Sequence, residues 1–247
     1  MCITHIIKTV MTANKQIKSK QRVKERGEVF TNEREVKAMC DLAANECDRI
    51  ESRTLEPACG NGNFLAEILM RKLKTAKRLY GKNAYDYERF SVLAISSLYG
   101  VDIMQDNVSE CRERLFKIWD KEYKAVCKKS TNDETRAAVK YILSKNILCG
   151  NALTLMCVDE NQNDLPTPIV FPEWSYVQGV KLKRRDFRLD VMLMVNDKPK
   201  NGKPLSLSGL PENLRKFVTL NPVTKEFIAV PICEYPPVHF KKVDENG

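Results

Sequence analysis

The stretch LEPACGNGNFL, residues 55–65, decides how the chain is read. An apolar residue, an acid and two glycines two apart lead straight into NFLAEILMRKLKTAKRL (63–79), a run whose Phe64, Ile68, Leu69 and Leu73 share one helical face. SRTLE (52–56) just before it reads as a short strand. A strand that ends in an acid and turns through Gly60 and Gly62 into a helix presents bare backbone N–H groups to a ligand lying over the strand end. Glycine suits that bend because a Cβ would block close approach. A plain strand-to-helix turn uses the same residues, so the bend alone does not separate a ligand loop from a tight turn.

Outward from the bend, FTNEREVKAMCDLAANECDRI (30–50) predicts a helix capped by Asn32, with Glu35 as capping-box partner and Val36, Met39, Leu42 and Ala43 on its inner face. Downstream the order is helix (86–98), strand (98–103), long helix (105–126), charged helix (130–145) and a strand end at NILCGNAL (146–153). Alternation of this kind predicts an α/β fold with a doubly wound sheet and the bend at the carboxyl end of its first strand. Past residue 155 the pattern changes. Pro166, Pro168 and Pro172 break it, 193–214 reads as a linker, and KFVTLNPVTKEFIAV (216–230) alternates around an Asn-Pro turn like a hairpin. The expected organisation is a basic arm (1–28), an α/β domain (29–155) and a separate, irregular or β appendage (156–247).

The formal charge of +9 and pI near 9.0 point to a polyanionic partner, and two clusters carry the expectation. KQIKSKQRVKER (15–26) supplies Lys18, Lys20, Arg22, Lys24 and Arg26, and KLKRRDFR (181–188) supplies Lys183, Arg184 and Arg185 as candidate nucleic-acid contacts. Nine cysteines without a CxxC pair suggest reduced thiols and a cytoplasmic protein. His5 and His239 are the only histidines, which leaves little material for a zinc site or a Ser-His or Cys-His pair. No apolar run approaches the ~20 residues of a spanning helix, so no membrane partner is expected.

A nicotinamide loop is disfavoured: Leu65 stands where GxGxxG needs a third small residue, and the next strand-end acid is Asp102, after an extra helix. Instead EPACGNGNF (56–64) resembles the first motif, [DE]-P-x-x-G-x-G-x-F, of adenine-N6 DNA methyltransferases of restriction-modification systems. RGEVFTN (26–32) is similar to their G-x-x-F-T-P element, with Asn32 in place of the proline. YGVDI (99–103) and NILCGNAL (146–153) match the next two elements in type and order. The resemblance covers residues 26–153 and implies a Rossmann-like methyltransferase core, complete or not, that binds S-adenosylmethionine. It implies that Gly60 and Gly62, with Pro57, let the backbone approach the methionine part, that Glu56 faces its ammonium, and that Phe30 and Thr31 close over the cofactor. Asp102 would accept from the ribose hydroxyls, Ile103 and Phe64 would flank apolar parts, and Asn151, where the family often has Asp, would meet the adenine edge.

The family's base-binding tetrapeptide, [NDS]-P-P-[YFW], has no match. FPEW (171–174), LNPVT (220–224) and EYPPVHF (234–240) each lack part of it. Extruding and holding a target base needs those groups, so no catalytic residue is assigned. The expectation is therefore the S-adenosylmethionine-binding part of a DNA adenine methyltransferase, completed by a second chain that carries the catalytic and target-recognition parts, or truncated. The alternatives are a catalytically silent DNA-binding relic and an RNA or protein methyltransferase on the same core.

Overall fold

The computed structural model describes residues 16–26, 28–196 and 209–246. Most of the expected arm, with His5, lies outside the described residues, as do Gly27 and the middle of the expected linker (197–208).

The helices are α1 (Lys20–Arg26), α2 (Glu33–Leu42), α3 (Ala44–Cys47), α4 (Asn63–Tyr80), α5 (Ala84–Ser96), α6 (Gln105–Cys127), α7 (Asp133–Asn146) and α8 (Leu189–Asn196). Strands β1 (Thr54–Glu56), β2 (Leu98–Asp102), β3 (Ile147–Asn151), β4 (Met156–Val158) and β5 (Asp164–Pro168) form one sheet in that order. The first three are parallel and the last two antiparallel. Beyond them, β6 (Val170–Val177) and β7 (Lys181–Arg188) make a long hairpin, β8 (Val218–Leu220) and β9 (Phe227–Ala229) a short one, and β10 (Cys233–Glu234) and β11 (Val238–His239) pair with β7.

The chain is a mixed α/β structure, as its alternating pattern predicts, but the described sheet is not doubly wound. Strand order β1-β2-β3 steps one way without reversal, and connections that step the same way place their helices on the same face. Alternation along β2 shows the two faces. Leu98 packs with the helices, and a Cβ on Gly100 would lie 3.0 Å from Cys59 Sγ and Leu65 Cδ1, whereas Tyr99 and Val101 pack against Ile169, Phe171 and Leu189. On β3 a Cβ at Gly150 would sit 2.7 Å from Ile169 Cδ1. The second face is thus covered by the segment expected to stand apart.

That segment also enters the main core. Trp174, Leu182, Phe240 and Val243 join the same buried cluster as α4 to α7. Trp174 Nε1 donates to Asn146 Oδ1 at 2.8 Å, and Asn146 Nδ2 donates to the carbonyl of Leu98 at 2.9 Å. Tyr99 Oη donates to the Pro172 carbonyl at 2.9 Å. The prolines expected to interrupt structure lie inside β5 and β6, each paired along one edge only, where a strand tolerates a missing N–H. The hairpin around Asn221-Pro222 forms as predicted, and α8 occupies the start of the expected linker.

Asn32 caps α2, its Oδ1 accepting from Arg34 N at 2.9 Å. The buried face of that helix is Val36 and Cys40, while Met39 is 54% and Leu42 91% exposed. In a ten-residue helix two contacts one turn apart set the docking, so the apolar stripe read from the sequence sits about one position off. No helix among the described residues is long and apolar enough to cross a membrane.

A buried carboxylate ties the helical layer to the chain's end. Glu88 on α5 accepts from Tyr123 Oη (2.5 Å), Thr135 Oγ1 (2.6 Å) and Asn132 Nδ2 (2.8 Å), and pairs with Lys241 Nζ at 2.9 Å. Burial pushes the Glu88 carboxyl up, but those donors outweigh it and hold it below the usual carboxylate range. Its contribution is therefore complete above the unfolded value of ~4.3 and fades as pH falls through the lower folded value. Glu88→Gln should cost about 2–4 kcal/mol at neutral pH. Urea unfolding should show that difference at pH 7 and a smaller one near pH 3.

Candidate ligand cavity at the glycine bend

After Glu56 the chain leaves the sheet, and Cys59 N–H returns to the Val101 carbonyl at 2.9 Å, pinning the bend beside β2. Gly60 (φ 52°) and Gly62 (φ 86°) are both left-handed, the conformation that favours glycine. Gly62 is the N-cap of α4 and makes no side-chain cap bond; a Cβ there would come within 2.6 Å of Cys111 Sγ on α6. A Cβ on Gly60 would come within 2.9 Å of the Phe30 ring. The first glycine lets the aromatic close down, and the second lets two helices approach.

Asp102, at the end of β2, organises the bend. Its Oδ2 accepts from Gly60 N at 2.9 Å, and its Oδ1 accepts from Met104 N at 2.8 Å and Asn107 Nδ2 at 3.1 Å. Asn107 Nδ2 also donates to Glu28 Oε1 at 2.7 Å. Over this network lies a cavity of about 420 Å³. Its walls include Glu28, Phe30, Pro57, Ala58, Gly60, Asp102, Ile103, Asn107, Gly150 and Asn151. Two carboxylates and no Lys, Arg or His line it. Arg22 balances Glu28 from behind the lining at 2.6 Å, which leaves Asp102 as the charge a ligand there would meet.

Six of the ten residues expected around a cofactor therefore come together: Phe30, Pro57, Gly60, Asp102, Ile103 and Asn151. Four do not line the cavity. Thr31 lines a polar cleft that shares Phe30 as a wall, and its carbonyl accepts from Asn63 Nδ2 at 2.9 Å. Gly62 faces Cys111, and Phe64 packs half-buried on the core. Glu56 is half-buried at the end of β1; burial raises its carboxyl, partly offset by the Ala58 N–H. Asn151 is already engaged: its Oδ1 accepts from Leu153 N at 3.0 Å and its Nδ2 donates to Asp164 at 3.1 Å. Glu28 and Asn107 were not foreseen. Glu28 stands two residues from Phe30 within RGEVFTN, but Asn107 shares its turn with Gln105 and Asp106, so the sequence carries a signal for Glu28 and none that singles out Asn107.

The two basic runs are not open tracks. Lys18 Nζ pairs with Asp106 (3.2 Å) and Glu110 (2.7 Å), and Arg22 with Asp106 (2.6 Å) and Glu28. These bonds strap the arm to the start of α6, and the Arg22 guanidinium holds the Asp106 carboxyl down to about 2. Lys20 and Lys24 are exposed, and Arg26 ends α1. On β7, Lys183 pairs with Glu234 at 2.7 Å, Arg184 with Asp186 at 2.7 Å, and Arg185 with Glu173. Glu234 and Glu173 on two neighbouring strands, and Asp186 within β7 itself, neutralise what looks cationic in the linear sequence.

The three proline-containing stretches lie in the core, in a hairpin turn and at a sheet edge. Trp174 of FPEW is buried in the core, LNPVT is the β8–β9 turn, and EYPPVHF joins β10 to β11 at the edge of the hairpin sheet. The eight described cysteines are free thiols. No family model, curated protein or solved structure matches the chain.

Gly62→Ala should destabilise the fold by about 2 kcal/mol through overpacking against Cys111 and the unfavourable φ. Cys111→Ala in the same chain should recover the steric part and leave about 1 kcal/mol of backbone strain. Chemical denaturation of the two single variants and the double variant measures the coupling; simple additivity would contradict the contact.

Proposed function

We propose that the cavity binds S-adenosylmethionine and that the chain is the methyl-donor-binding part of a DNA adenine-N6 methyltransferase of the restriction-modification kind. The observation that carries the reading is the bond from Gly60 N–H to the Asp102 carboxylate. It joins the second and third of the four motifs, in chain order, in the wall of one cavity. A volume of about 420 Å³ is within the usual range for a small-molecule site, ~300–1,000 Å³.

The electrostatics support a cation. A sulfonium or an ammonium would meet the Asp102 carboxylate, the one acid of the lining that no cation neutralises among the described residues, while Glu28 is paired with Arg22 at 2.6 Å. In this reading Phe30 and Ile103 flank the adenosyl group, and the methionine part lies along the Gly60 backbone, whose N–H is held by Asp102. Asp102, with three hydrogen bonds already made, has one lone-pair direction left for a ribose hydroxyl. Glu28 supplies the carboxylate inside the cavity, a place the motif alone assigns to Glu56.

Methyl transfer would be a direct in-line displacement at the sulfonium methyl, promoted by positioning. The groups that hold a flipped base must come from elsewhere, so the catalytic unit needs a second chain or further sequence. DNA as substrate rests on the resemblance alone. A catalytically silent relic is the second reading, favoured by the prior engagement of the Asn151 amide within the protein.

Isothermal titration should show wild-type protein binding S-adenosylmethionine but not NAD⁺. Gly60→Val should abolish binding and Asp102→Asn should weaken it by at least about tenfold, ~1.4 kcal/mol. Absence of wild-type binding, or equal affinity in all three proteins, would remove the reading.

A further inference from the structure

With both basic runs largely paired, the surplus charge collects elsewhere, at the end of the helical layer remote from the cavity. There α4 and α6 lie side by side, with Lys77 Nζ 3.6 Å from Glu122 Oε2, and Cys127 Sγ lies 3.3 Å from the Ala84 carbonyl at the start of α5. Lys74, Arg78 and Lys82 on one side and Lys121, Lys128 and Lys129 on the other are all exposed. Among the described residues none of these six side chains forms an ion pair or hydrogen bond. The bordering acids are taken: Glu122 by Lys77, Asp120 by Lys124 and Arg136, and Asp133 by Arg136. Asp86 and Glu134 alone remain against six cations.

Helix dipoles account for a cation in the last turn of each helix, but not for this many. Lys74 and Arg78 are a like-charged i,i+4 pair, which is unfavourable on its own, and Lys82, Lys128 and Lys129 lie beyond the helix ends. A repeating anion would complement this surface by displacing the counterions it holds. No aromatic platform for unstacked bases lies among the cations: Tyr80 is stacked on Phe90 at 3.6 Å, and Tyr85 turns to His239 and Phe240.

We propose that this face docks the phosphodiester backbone of duplex DNA. Along helix α4, which has 18 residues, the face runs from about 18 to about 27 Å from the glycine bend at 1.5 Å per residue. Contacts there add sequence-independent affinity and do not present a base to the cavity. The proposal stands apart from the methyl-donor reading, because none of the six residues lines that cavity.

The test is fluorescence anisotropy with a labelled duplex of about 24 bp, titrated between about 50 and 200 mM salt. Wild-type protein should bind with a steep salt dependence. The variant Lys74→Gln/Arg78→Gln/Lys121→Gln/Lys129→Gln should lose at least about tenfold at the lower salt, with a log–log slope shallower by about 3–4. Lys20→Gln/Lys24→Gln/Lys216→Gln, exposed cations elsewhere, should stay within about twofold of wild type. Should circular dichroism show the quadruple variant unfolded, Lys128→Gln/Lys129→Gln, which lies past the helix end, must still reduce the slope by about 2. The proposal is overturned by absent or salt-independent binding, by an unchanged slope in the patch variants, by equal loss in the control, or by tighter binding of single-stranded oligothymidine than of the duplex.

Discussion

Asp102 accepts three hydrogen bonds from three places in the chain: the Gly60 N–H in the bend after β1, the Met104 N–H ahead of α6, and the Asn107 amide in the first turn of α6. Hydrogen bonds to an ionised acceptor contribute roughly 1.5–3 kcal/mol each, and these join two parallel strand ends to the helix that follows the second. Asn107 extends the network to Glu28, and Glu28 to Arg22, so the strap that carries Phe30 is fixed by the same set of bonds. The cavity keeps its shape because a carboxylate at one strand end grips the backbone at the next.

The one-way order of the parallel strands governs how the rest of the chain is used. Helices α4 to α7 cover one face, and the other would be bare without Ile169, Phe171 and Leu189. The region after residue 155 is therefore part of the core rather than an attachment to it. Gly100 and Gly150 mark the two close approaches on which this two-sided packing depends, one to α4 and one to Ile169.

Charge is distributed by pairing rather than by sequence neighbourhood. Around β7 Lys183 pairs onto β10, Arg185 across the hairpin and Arg184 within the strand, and in the arm Lys18 and Arg22 meet Asp106, 88 and 84 positions away. RKLKTAKR (71–78) and KEYKAVCKK (121–129), at the far ends of α4 and α6, keep more of their cations unpaired than either of those runs. Adjacency along the chain is a poor guide to field, because field depends on which acids fold back within a few ångströms.

The sequence by itself determined the elements with local causes: the amphipathic period of α4, the Asn32 cap, the strand–bend–helix at 55–65, and the Asn-Pro hairpin. It also set out the residues of the bend, since left-handed backbone at Gly60 and Gly62 is a local demand. Tertiary structure decided what depends on distant partners. The bonds of Asp102, the entry of Glu28 into the cavity, the departure of Gly62 and Phe64 toward the core, and the burial of Trp174 follow from packing between segments 40 to 80 residues apart. Periodicity reports which face of an element is apolar; only the assembled sheet, whose strand order is a long-range choice, fixes what that face meets.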